Sequence, residues 1–373
     1  MKTILVLATL AAIAHGKTYT METRSSGSLI SRLMKEKRYQ KYLEERNLHR
    51  SQVLVKGSQP VEDVFDTYYL VNITVGTPGQ NFSLLLDTGS SSLWVIDISC
   101  NTKACYSLSP ERRRFNSSTS STFSTQNRTL FIGYDFGSCN GRIATDTVSF
   151  AGICKFLDAE SLSDDFTYMP YDGILGLGWP AVSVGNITPP MQNLLPALDA
   201  PLFTVWLERQ INVSYGGAGG LVTFGAVDTT NCELDVNYVP LTSEAYGQFP
   251  LSGFSIGRFS KKFTQDAVSD TGSSWIGVPP YLINTVAGYT GGQYDTGYQF
   301  YTVNCSTMMT QPDVEFTIND VKYSLKSEDY VIDLGLGGGQ VSASTSTQQF
   351  SGPIDWTALV LYVVRLILQI CTL

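Results

Sequence analysis

The sequence predicts a mainly β protein built from two equivalent lobes. Its 373 residues, of which 43% are hydrophobic, are enough for two sizeable cores. Ser/Thr-rich segments of strand length dominate, and long helical periodicity is scarce after residue 60. The pentapeptide Asp-Thr-Gly-Ser-Ser occurs twice, beginning at Asp87 and at Asp270, and the 183 positions between the copies indicate a domain-sized repeat.

Residues 1–16 have the pattern of a signal peptide. Lys2 precedes an apolar stretch that is too short to span a membrane, and the small residues Ala12, Ala14 and Gly16 permit cleavage. We therefore expect a protein of the secretory pathway, located in the extracellular space, a gut lumen or a lysosome. Seven Asn-x-Ser/Thr sequons agree with glycosylation there: Asn72, Asn81, Asn116, Asn127, Asn186, Asn212 and Asn304.

Charge divides the remaining chain in two. Residues 17–60 carry a net charge of +6, and residues 61–373 carry −15. The basic segment is either a solvated helix or a segment that docks electrostatically on the acidic body. Nucleic acid is a poor partner for a body that is so acidic.

The cysteines predict disulfides and no metal site. Cys100 and Cys105 are close enough in sequence for a small loop disulfide, and Cys139 and Cys154 could join the two strands of a hairpin. Because Cys-x-x-Cys spacing is absent, we expect no zinc. In an oxidising compartment most thiols should pair, and one must be left over unless it pairs between chains; the full set is Cys100, Cys105, Cys139, Cys154, Cys232, Cys305 and Cys371.

The scarcity of histidine narrows the possible chemistry. The only two are His15 and His49, so residues 61–373 contain none. This excludes Ser-His-Asp and Cys-His catalysis, and zinc sites that use histidine. No phosphate-binding loop or dinucleotide fingerprint is present either, and we expect no cofactor. If the chain is a hydrolase, carboxylates are the remaining acid and base.

The repeated aspartates are candidates for that pair. Asp87 follows the apolar run 84–86, and a carboxylate at the end of a buried strand has either a capping role in an Asx-turn or a chemical one. Two such aspartates brought within hydrogen-bond reach share one proton, so one can activate a water while the other donates to a carbonyl oxygen. The same three supporting residues follow each: a hydroxyl that can tie the loops together, a glycine that permits a tight turn, and a serine that can bond a carboxylate oxygen. These are Thr88, Gly89 and Ser90, and Thr271, Gly272 and Ser273.

On these residues the chain resembles the pepsin-like aspartic proteases, the group of pepsin and cathepsin D. The resemblance runs from about Asp66 to Trp356 and includes both Asp-Thr-Gly-Ser motifs. The segment Tyr171–Pro180 resembles the family's support for the first catalytic loop, with its hydrophobic-hydrophobic-Gly element at 174–176. The resemblance implies two β lobes with a cleft between them, and a monomeric acid endopeptidase acting on proteins or peptides.

The resemblance also implies a flap, a hairpin whose tip tyrosine closes over the substrate. Tyr134 has that position, Trp94 is placed to bond it, and Gly137 and Ser138 follow. The alternative is an ordinary strand tyrosine. The family usually has glycine directly after this tyrosine, whereas this chain has Asp135, whose charge and bulk bear on flap mobility and substrate preference.

The C-terminus departs from the family pattern. By resemblance, the second lobe should have its own hydrophobic-hydrophobic-Gly element as far after Asp270 as Gly176 lies after Asp87. That position is about residue 359, and no glycine follows there. The second lobe, 236–356, is therefore expected to be incomplete, and 357–373 form a divergent apolar tail with Arg365 as its only charge. Three explanations of the tail are open. It could be a membrane anchor, which the charge of Arg365 disfavours, or a genuine divergent C-terminus. It could also be an altered reading of the gene after Trp356, which we favour. The cysteine that the family places near Val341 to pair with Cys305 is also missing.

Two functions follow from this organisation. The first is an aspartic endopeptidase with a signal peptide, a basic propeptide at 17–60 and lobes at 61–235 and 236–356. By resemblance, the lysines of the propeptide cover the cleft at neutral pH and acid loosens them, with maturation between Val55 and Asp66. The alternative is a catalytically impaired homologue that acts as a secreted binding protein because its C-terminal scaffold is lost.

Overall fold

The protein is mainly β, as the sequence predicts. The structure, a computed structural model, describes residues 18–25, 29–42, 68–106, 112–134, 137–207, 218–232, 236–273, 276–296, 300–332, 340–343 and 370–372. The predicted signal peptide, the maturation region 55–66, Asp135 and residues 357–369 of the tail lie outside this set.

Nineteen strands occur among the described residues, with only short helices between them. The α-helices whose full bounds are described are α1 (Leu29–Lys35), α2 (Pro190–Leu194), α3 (Pro280–Thr290) and α4 (Ser327–Tyr330). The strands are β1 (Tyr19–Ser25), β2 (Tyr69–Val75), β3 (Gln80–Asp87), β4 (Leu93–Ile96), β5 (Ser124–Gly133), β6 (Ser138–Val148), β7 (Gly152–Leu162), β8 (Gly173–Gly176), β9 (Phe203–Leu207), β10 (Ala218–Phe224), β11 (Gln248–Ile256), β12 (Phe259–Val268), β13 (Gln293–Asp295), β14 (Phe300–Asn304), β15 (Val314–Ile318), β16 (Val321–Leu325), β17 (Val331–Ile332), β18 (Gln340–Ala343) and β19 (Ile370–Thr372).

The sheets divide between the two halves of the chain. An eleven-stranded sheet, formed by the first half together with the C-terminal strand β19, has the order β19-β9-β10-β1-β2-β3-β8-β4-β7-β6-β5. The second half forms two four-stranded sheets, with the orders β12-β11-β15-β16 and β13-β14-β18-β17. Each half also has its own apolar clusters, and the cluster of the second half extends from Phe249 to Val331. This division agrees with the two lobes predicted from the repeat.

Local sequence explains where helix α3 of the second half begins and ends. Helix α3 begins at Pro280, where the absent N–H and fixed φ of proline suit the first turn. It ends at Gly291, whose φ of 71° is the left-handed conformation that glycine adopts without strain and whose N–H bonds the carbonyl of Ala287. Between these ends, Leu282 and Ile283 are fully buried, which fixes the helix against the strands beneath it.

The N-terminal basic segment is part of the fold of the first half. β1 lies between β10 and β2, antiparallel to both, so it is an internal strand of the large sheet. α1 then places Leu33 in the apolar cluster that also contains Trp94, and the helical residues 39–42 that follow bury Tyr39 and Tyr42 in the same cluster. The segment is therefore held by strand pairing and apolar burial.

The structure corrects one predicted disulfide. Cys100 and Cys105 are bonded, as predicted. Cys139 and Cys154 are buried free thiols, so the predicted bond between them is wrong. They lie on paired strands, but the register places Cys139 opposite Leu162 and Cys154 opposite Asp146, near opposite ends of the hairpin. Cys232 is buried, and the side chains of Cys305 and Cys371 lie outside the described set.

The C-terminal tail returns to the first half of the chain. Its final strand β19 pairs antiparallel with β9 at the edge of the large sheet, with Cys371 opposite Thr204. Among the described residues, no helix is long and apolar enough to cross a membrane.

Candidate active site

Asp87, the first aspartate, is the last residue of strand β3, which pairs with β8. β3 pairs in parallel with β8, which brings Asp87 opposite Gly176. The N–H of Leu177 donates to the main-chain carbonyl of Asp87 at 2.8 Å. A Cβ on Gly176 would lie 2.5 Å from the main-chain nitrogen of Ser92, so only glycine permits this approach. The hydrophobic-hydrophobic-Gly element is thus located beneath the first loop, as predicted.

The second aspartate lies at a matching position in the other half. β12 ends at Val268, and the loop that follows carries Asp270 and Thr271. Ser273 is buried in this loop. The N–H of Gly272 donates to Asp270 Oδ1 at 2.8 Å, as the N–H of Gly89 donates to Asp87 Oδ1 at 2.9 Å. Each carboxylate is therefore held by the glycine of its own loop.

Two threonines join the loops across the interface. The N–H of Thr88 donates to Thr271 Oγ1 at 3.1 Å, and the N–H of Thr271 donates to Thr88 Oγ1 at 3.0 Å. The hydroxyl of Thr271 donates onward to the carbonyl of Leu86, and the hydroxyl of Thr88 to the carbonyl of Ser269. Each hydroxyl thus accepts one bond and donates one, which fixes the two loops relative to each other.

The two carboxyl groups meet at this interface. The carboxyl groups of Asp87 and Asp270 lie close enough for Asp270 to affect the pKa of Asp87. A Cβ on Gly89 would lie 2.5 Å from Asp270 Cγ, and a Cβ on Gly272 would lie 2.5 Å from Asp87 Oδ1. Both glycines are therefore needed for this contact. The reciprocal arrangement gives the site an approximate two-fold symmetry.

The pKa of Asp87 is raised above the ordinary aspartate value. Burial, which disfavours the charged carboxylate, is the largest cause. Hydrogen bonds from the hydroxyl of Ser90, from Asp270 and from the main chain of the loop act in the opposite direction. A carboxyl that retains a proton next to a second carboxyl can donate that proton, and its partner can accept one.

A hairpin formed by β5 and β6 carries the predicted flap tyrosine. At its tip the N–H of Tyr134 donates to the carbonyl of Gly137 at 2.9 Å, where Gly137 has a φ of 81°. The indole Nε1 of Trp94 donates to the hydroxyl of Tyr134 at 2.9 Å, as predicted. Burial raises the pKa of Tyr134 well above 10, so its hydroxyl stays protonated. Ser138, the first residue of β6, bonds Ser163.

Sequence patterns gave no signal for the aromatic wall beside the flap. It is the 3₁₀ turn Asp164–Tyr168, which we call the aromatic turn. Its Phe166 packs edge-to-face on the rings of Trp94 and Tyr134, with centroids 5.5 and 6.3 Å away. The guanidinium of Arg112, a buried arginine in a run of basic residues, donates to the carbonyl of Phe166 and to that of Met169, which follows the turn. Only the density of aromatic residues between Phe166 and Tyr171 could have indicated a packed wall.

Metal ligands are not grouped in this site. Among the residues that the structure describes, no three His, Cys, Asp or Glu side chains are grouped so as to hold a metal ion.

Paired aspartates on matching loops at the junction of two β halves define the class of aspartic proteases. The eukaryotic aspartyl protease family model matches residues 68–349. Aspartic protease 1 of Caenorhabditis elegans is 43% identical over 361 residues, which covers 94% of this chain and 91% of that protein. Human gastricsin is 37% identical over 72% of this chain and 69% of its own. Pepsin A of Rhinolophus ferrumequinum is 32% identical over 88% of this chain and 86% of its own. The chain belongs to the eukaryotic aspartyl protease family and is by class an aspartic-type endopeptidase.

Proposed function

We propose that this chain hydrolyses peptide bonds at acid pH through a water molecule activated by Asp87 and Asp270. The observation that carries the proposal is the close approach of the two carboxyl groups, each held by its own loop glycine. In the reaction the ionised carboxylate takes a proton from the water, and the oxygen of that water attacks the peptide carbonyl carbon. The protonated carboxyl donates to the carbonyl oxygen.

The flap and the aromatic turn supply the binding side of this proposal. Tyr134 lies at the tip of a hairpin over the first half, where it is anchored by Trp94 and Phe166. Such a surface suits bulky apolar side chains next to the scissile bond, because aromatic walls bury large apolar area. Protein and peptide substrates follow from the family, and the preference for bulky residues is our extension of it.

The N-terminal segment 17–60 acts in this proposal as a propeptide. Arg32 Nη2 donates to the carbonyl of Tyr168 at 3.2 Å, and the guanidinium of Arg38 lies 5.6 Å from the centroid of the Tyr168 ring. The segment thus occupies the aromatic turn beside the flap. We further propose synthesis in the secretory pathway, supported by the signal-like residues 1–16, with delivery to a lumen or a lysosome.

An acid assay tests the catalytic proposal. The full chain is incubated at acid pH with a quenched peptide, with and without a hydroxyl-containing mimic of the tetrahedral transition state. We expect hydrolysis that the mimic blocks and that Asp87→Asn and Asp270→Asn each abolish. The matched control Asp320→Asn changes an exposed aspartate and should retain the activity. A correctly folded wild-type chain that binds the mimic but hydrolyses nothing would refute the proposal and favour the impaired homologue.

A further inference from the structure

We infer that Arg112 is a positioning residue for the flap, which it controls through the aromatic turn Asp164–Tyr168. Its guanidinium donates from Nη1 to the carbonyl of Ala104 at 2.6 Å. From Nη2 it donates to the carbonyls of Phe166 and, at 2.8 Å, Met169. The side chain is buried, with 4% of its surface exposed. A buried cation is costly unless its donors are bonded. Both Nη atoms of Arg112 bond carbonyls, whereas its buried Nε has no hydrogen-bond partner among the described residues, so the contacts of the Nη atoms define its structural task.

The task is to bond two loops that also pack against each other, since Ala104, Phe166 and Met169 lie in one apolar cluster. Ala104 belongs to the loop closed by the Cys100–Cys105 disulfide. Phe166 belongs to the aromatic turn, and Met169 is the residue directly after it. The fork of an arginine can bind several carbonyls at fixed angles, which a lysine ammonium cannot do in the same plane. Arg112 therefore fixes the main-chain position of Phe166.

Phe166 transmits this position to the flap. Its ring contacts those of Tyr134 and Trp94, which are hydrogen bonded to each other. A Cβ on Gly137 would lie 2.8 Å from Phe166 Cε2, so the flap tip and the Phe166 ring fit closely. A shift of the aromatic turn must therefore move the tip of the flap.

The residue that follows the flap tip is tied to the same turn. Ser163, which precedes the aromatic turn, donates its N–H to the carbonyl of Ser138 at 2.9 Å. In return, the N–H of Ser138 donates to Ser163 Oγ at 2.9 Å. The turn thus contacts the flap tip through Phe166, and Ser163 just before it bonds the residue that follows the tip. Arg112 holds the other end of the turn.

The aromatic turn is also where another part of the chain binds in this structure. The ring of Tyr42 packs edge-to-face on that of Tyr168, with centroids 5.2 Å apart. Under the proposed function, on which this inference rests, a substrate side chain takes this place after the N-terminal segment leaves. Arg112 does not bond either catalytic carboxyl in the described structure, so its effect should fall on binding and side-chain preference and not on the chemical step.

Hydrogen exchange of the full chain tests the positioning role without requiring activity. We expect Arg112→Met to speed the exchange of amides in 131–140 and 163–169 by roughly 10-fold, with strand β11 of the second half unchanged. Arg112→Lys should give an intermediate effect. The control Arg114→Met removes a neighbouring arginine that bonds the carbonyl of Ile98 and should change neither segment. Equal acceleration in every strand, or none in the flap, would overturn the inference.

Kinetics provide the second readout. Active sites are counted by titration with the transition-state mimic, so misfolded protein does not enter kcat or KM. For Arg112→Met we expect a KM about 10-fold higher, a kcat within about two-fold of wild type, and a reduced preference for Phe over Ala next to the scissile bond. The pH profile should be unchanged.

A second variant keeps the inference testable if Arg112→Met does not fold. Phe166→Leu leaves the carbonyl that Arg112 binds and removes the ring that contacts Tyr134, so it should reproduce the same rise in KM. Per-site kinetics equal to wild type in either variant would show a purely structural arginine. An inactive wild-type chain would instead contradict the proposed function, and hydrogen exchange would still decide the role of Arg112.

Discussion

Thr88 and Thr271 exchange hydrogen bonds across the two halves of the molecule, each hydroxyl accepting from the main-chain N–H of the other residue. The hydroxyl of Thr88 then donates to the carbonyl of Ser269, and the hydroxyl of Thr271 donates to the carbonyl of Leu86. Because the catalytic candidates directly precede these threonines, the spacing of the two carboxyls depends on four hydrogen bonds that join regions 183 residues apart.

Removing one hydroxyl should therefore weaken both stability and activity. Thr271→Val keeps the shape of the side chain but leaves the carbonyl of Leu86 and the N–H of Thr88 without their partner. We expect a fall in Tm of roughly 5 °C, since each buried group left unpaired costs about 1–3 kcal/mol. A loss of kcat/KM should accompany it. Thr271→Ser keeps the hydroxyl and is the matched control, and calorimetry with an acid peptide assay measures both. Equal Tm and activity in the two variants would contradict the prediction.

The loop glycines should tolerate no side chain. In Gly89→Ala the new Cβ would lie 2.5 Å from Asp270 Cγ, which is closer than real Cβ contacts. The carboxyls must then move apart, and a displacement of about 1 Å at a reacting group typically lowers the rate by about 100-fold. We expect that loss in kcat/KM, and the same for Gly272→Ala.

A glycine elsewhere provides the control for this prediction. Gly288 lies on the exposed side of α3, and nothing lies within 4 Å of a Cβ added there. Gly288→Ala should keep wild-type kinetics and gain up to about 1 kcal/mol of stability, because alanine loses less backbone entropy than glycine in a helix. Normal kinetics in Gly89→Ala would show that the carboxyl contact is not needed.

The parts of the site that follow from local sequence were predictable. Asp87 and Asp270 were found from a repeated motif, and the support at 174–176 from its hydrophobic-hydrophobic-Gly pattern, because strand, turn and glycine requirements are encoded within a few residues. The bond between Trp94 and Tyr134 was predictable from the family resemblance. In each case the chemistry lies at a fixed offset along the chain.

Register and tertiary burial were not predictable in this way. The hairpin of β6 and β7 has a register irregularity between Asn140 and Gly141, and a Cβ on Gly141 would lie 2.0 Å from the carbonyl oxygen of Asp158. Sequence spacing did not reveal that this register separates Cys139 from Cys154. Arg112 likewise lies in a run of three arginines that looks like a solvated surface, and only the fold shows which of the three is buried.

The pH dependence of activity should respond to Ser90. The Ser90 hydroxyl bonds the Asp87 carboxylate and thereby lowers a pKa that burial raises. Without this bond the pKa of Asp87 rises further, so the shared proton is retained to higher pH. We expect Ser90→Ala to lower kcat and to move the alkaline limb of the kcat/KM profile to higher pH. Ser91→Ala is the control, since the Ser91 hydroxyl bonds the carbonyl of Trp179 instead. An alkaline limb that moves to lower pH in Ser90→Ala would contradict this account.

A second carboxyl pair, away from the cleft, should make the first half less stable as pH rises. Asp97 and Asp158 are fully buried and share the guanidinium of Arg142. Arg142 Nη2 lies 3.1 Å from Asp97 Oδ2 and 3.2 Å from Asp158 Oδ2, and Glu160 lies 3.6 Å from Nη1. Burial, followed by the neighbouring Asp97, raises the pKa of Asp158 from 3.8 to about 8.

The folded chain therefore binds a proton at Asp158 that the unfolded chain has released above pH 3.8. The contribution of this proton to the free energy of unfolding is fully present below pH 3.8. It is lost as the pH rises towards 8, by up to about 1 kcal/mol per pH unit. Asp158→Asn mimics the neutral carboxyl and should remove this loss. We expect a Tm near that of wild type at pH 4 and a higher Tm at pH 8, measured on the full chain by calorimetry. Asp320→Asn, at an exposed position, should follow wild type throughout; parallel curves for Asp158→Asn would show that this carboxyl does not titrate in the folded protein.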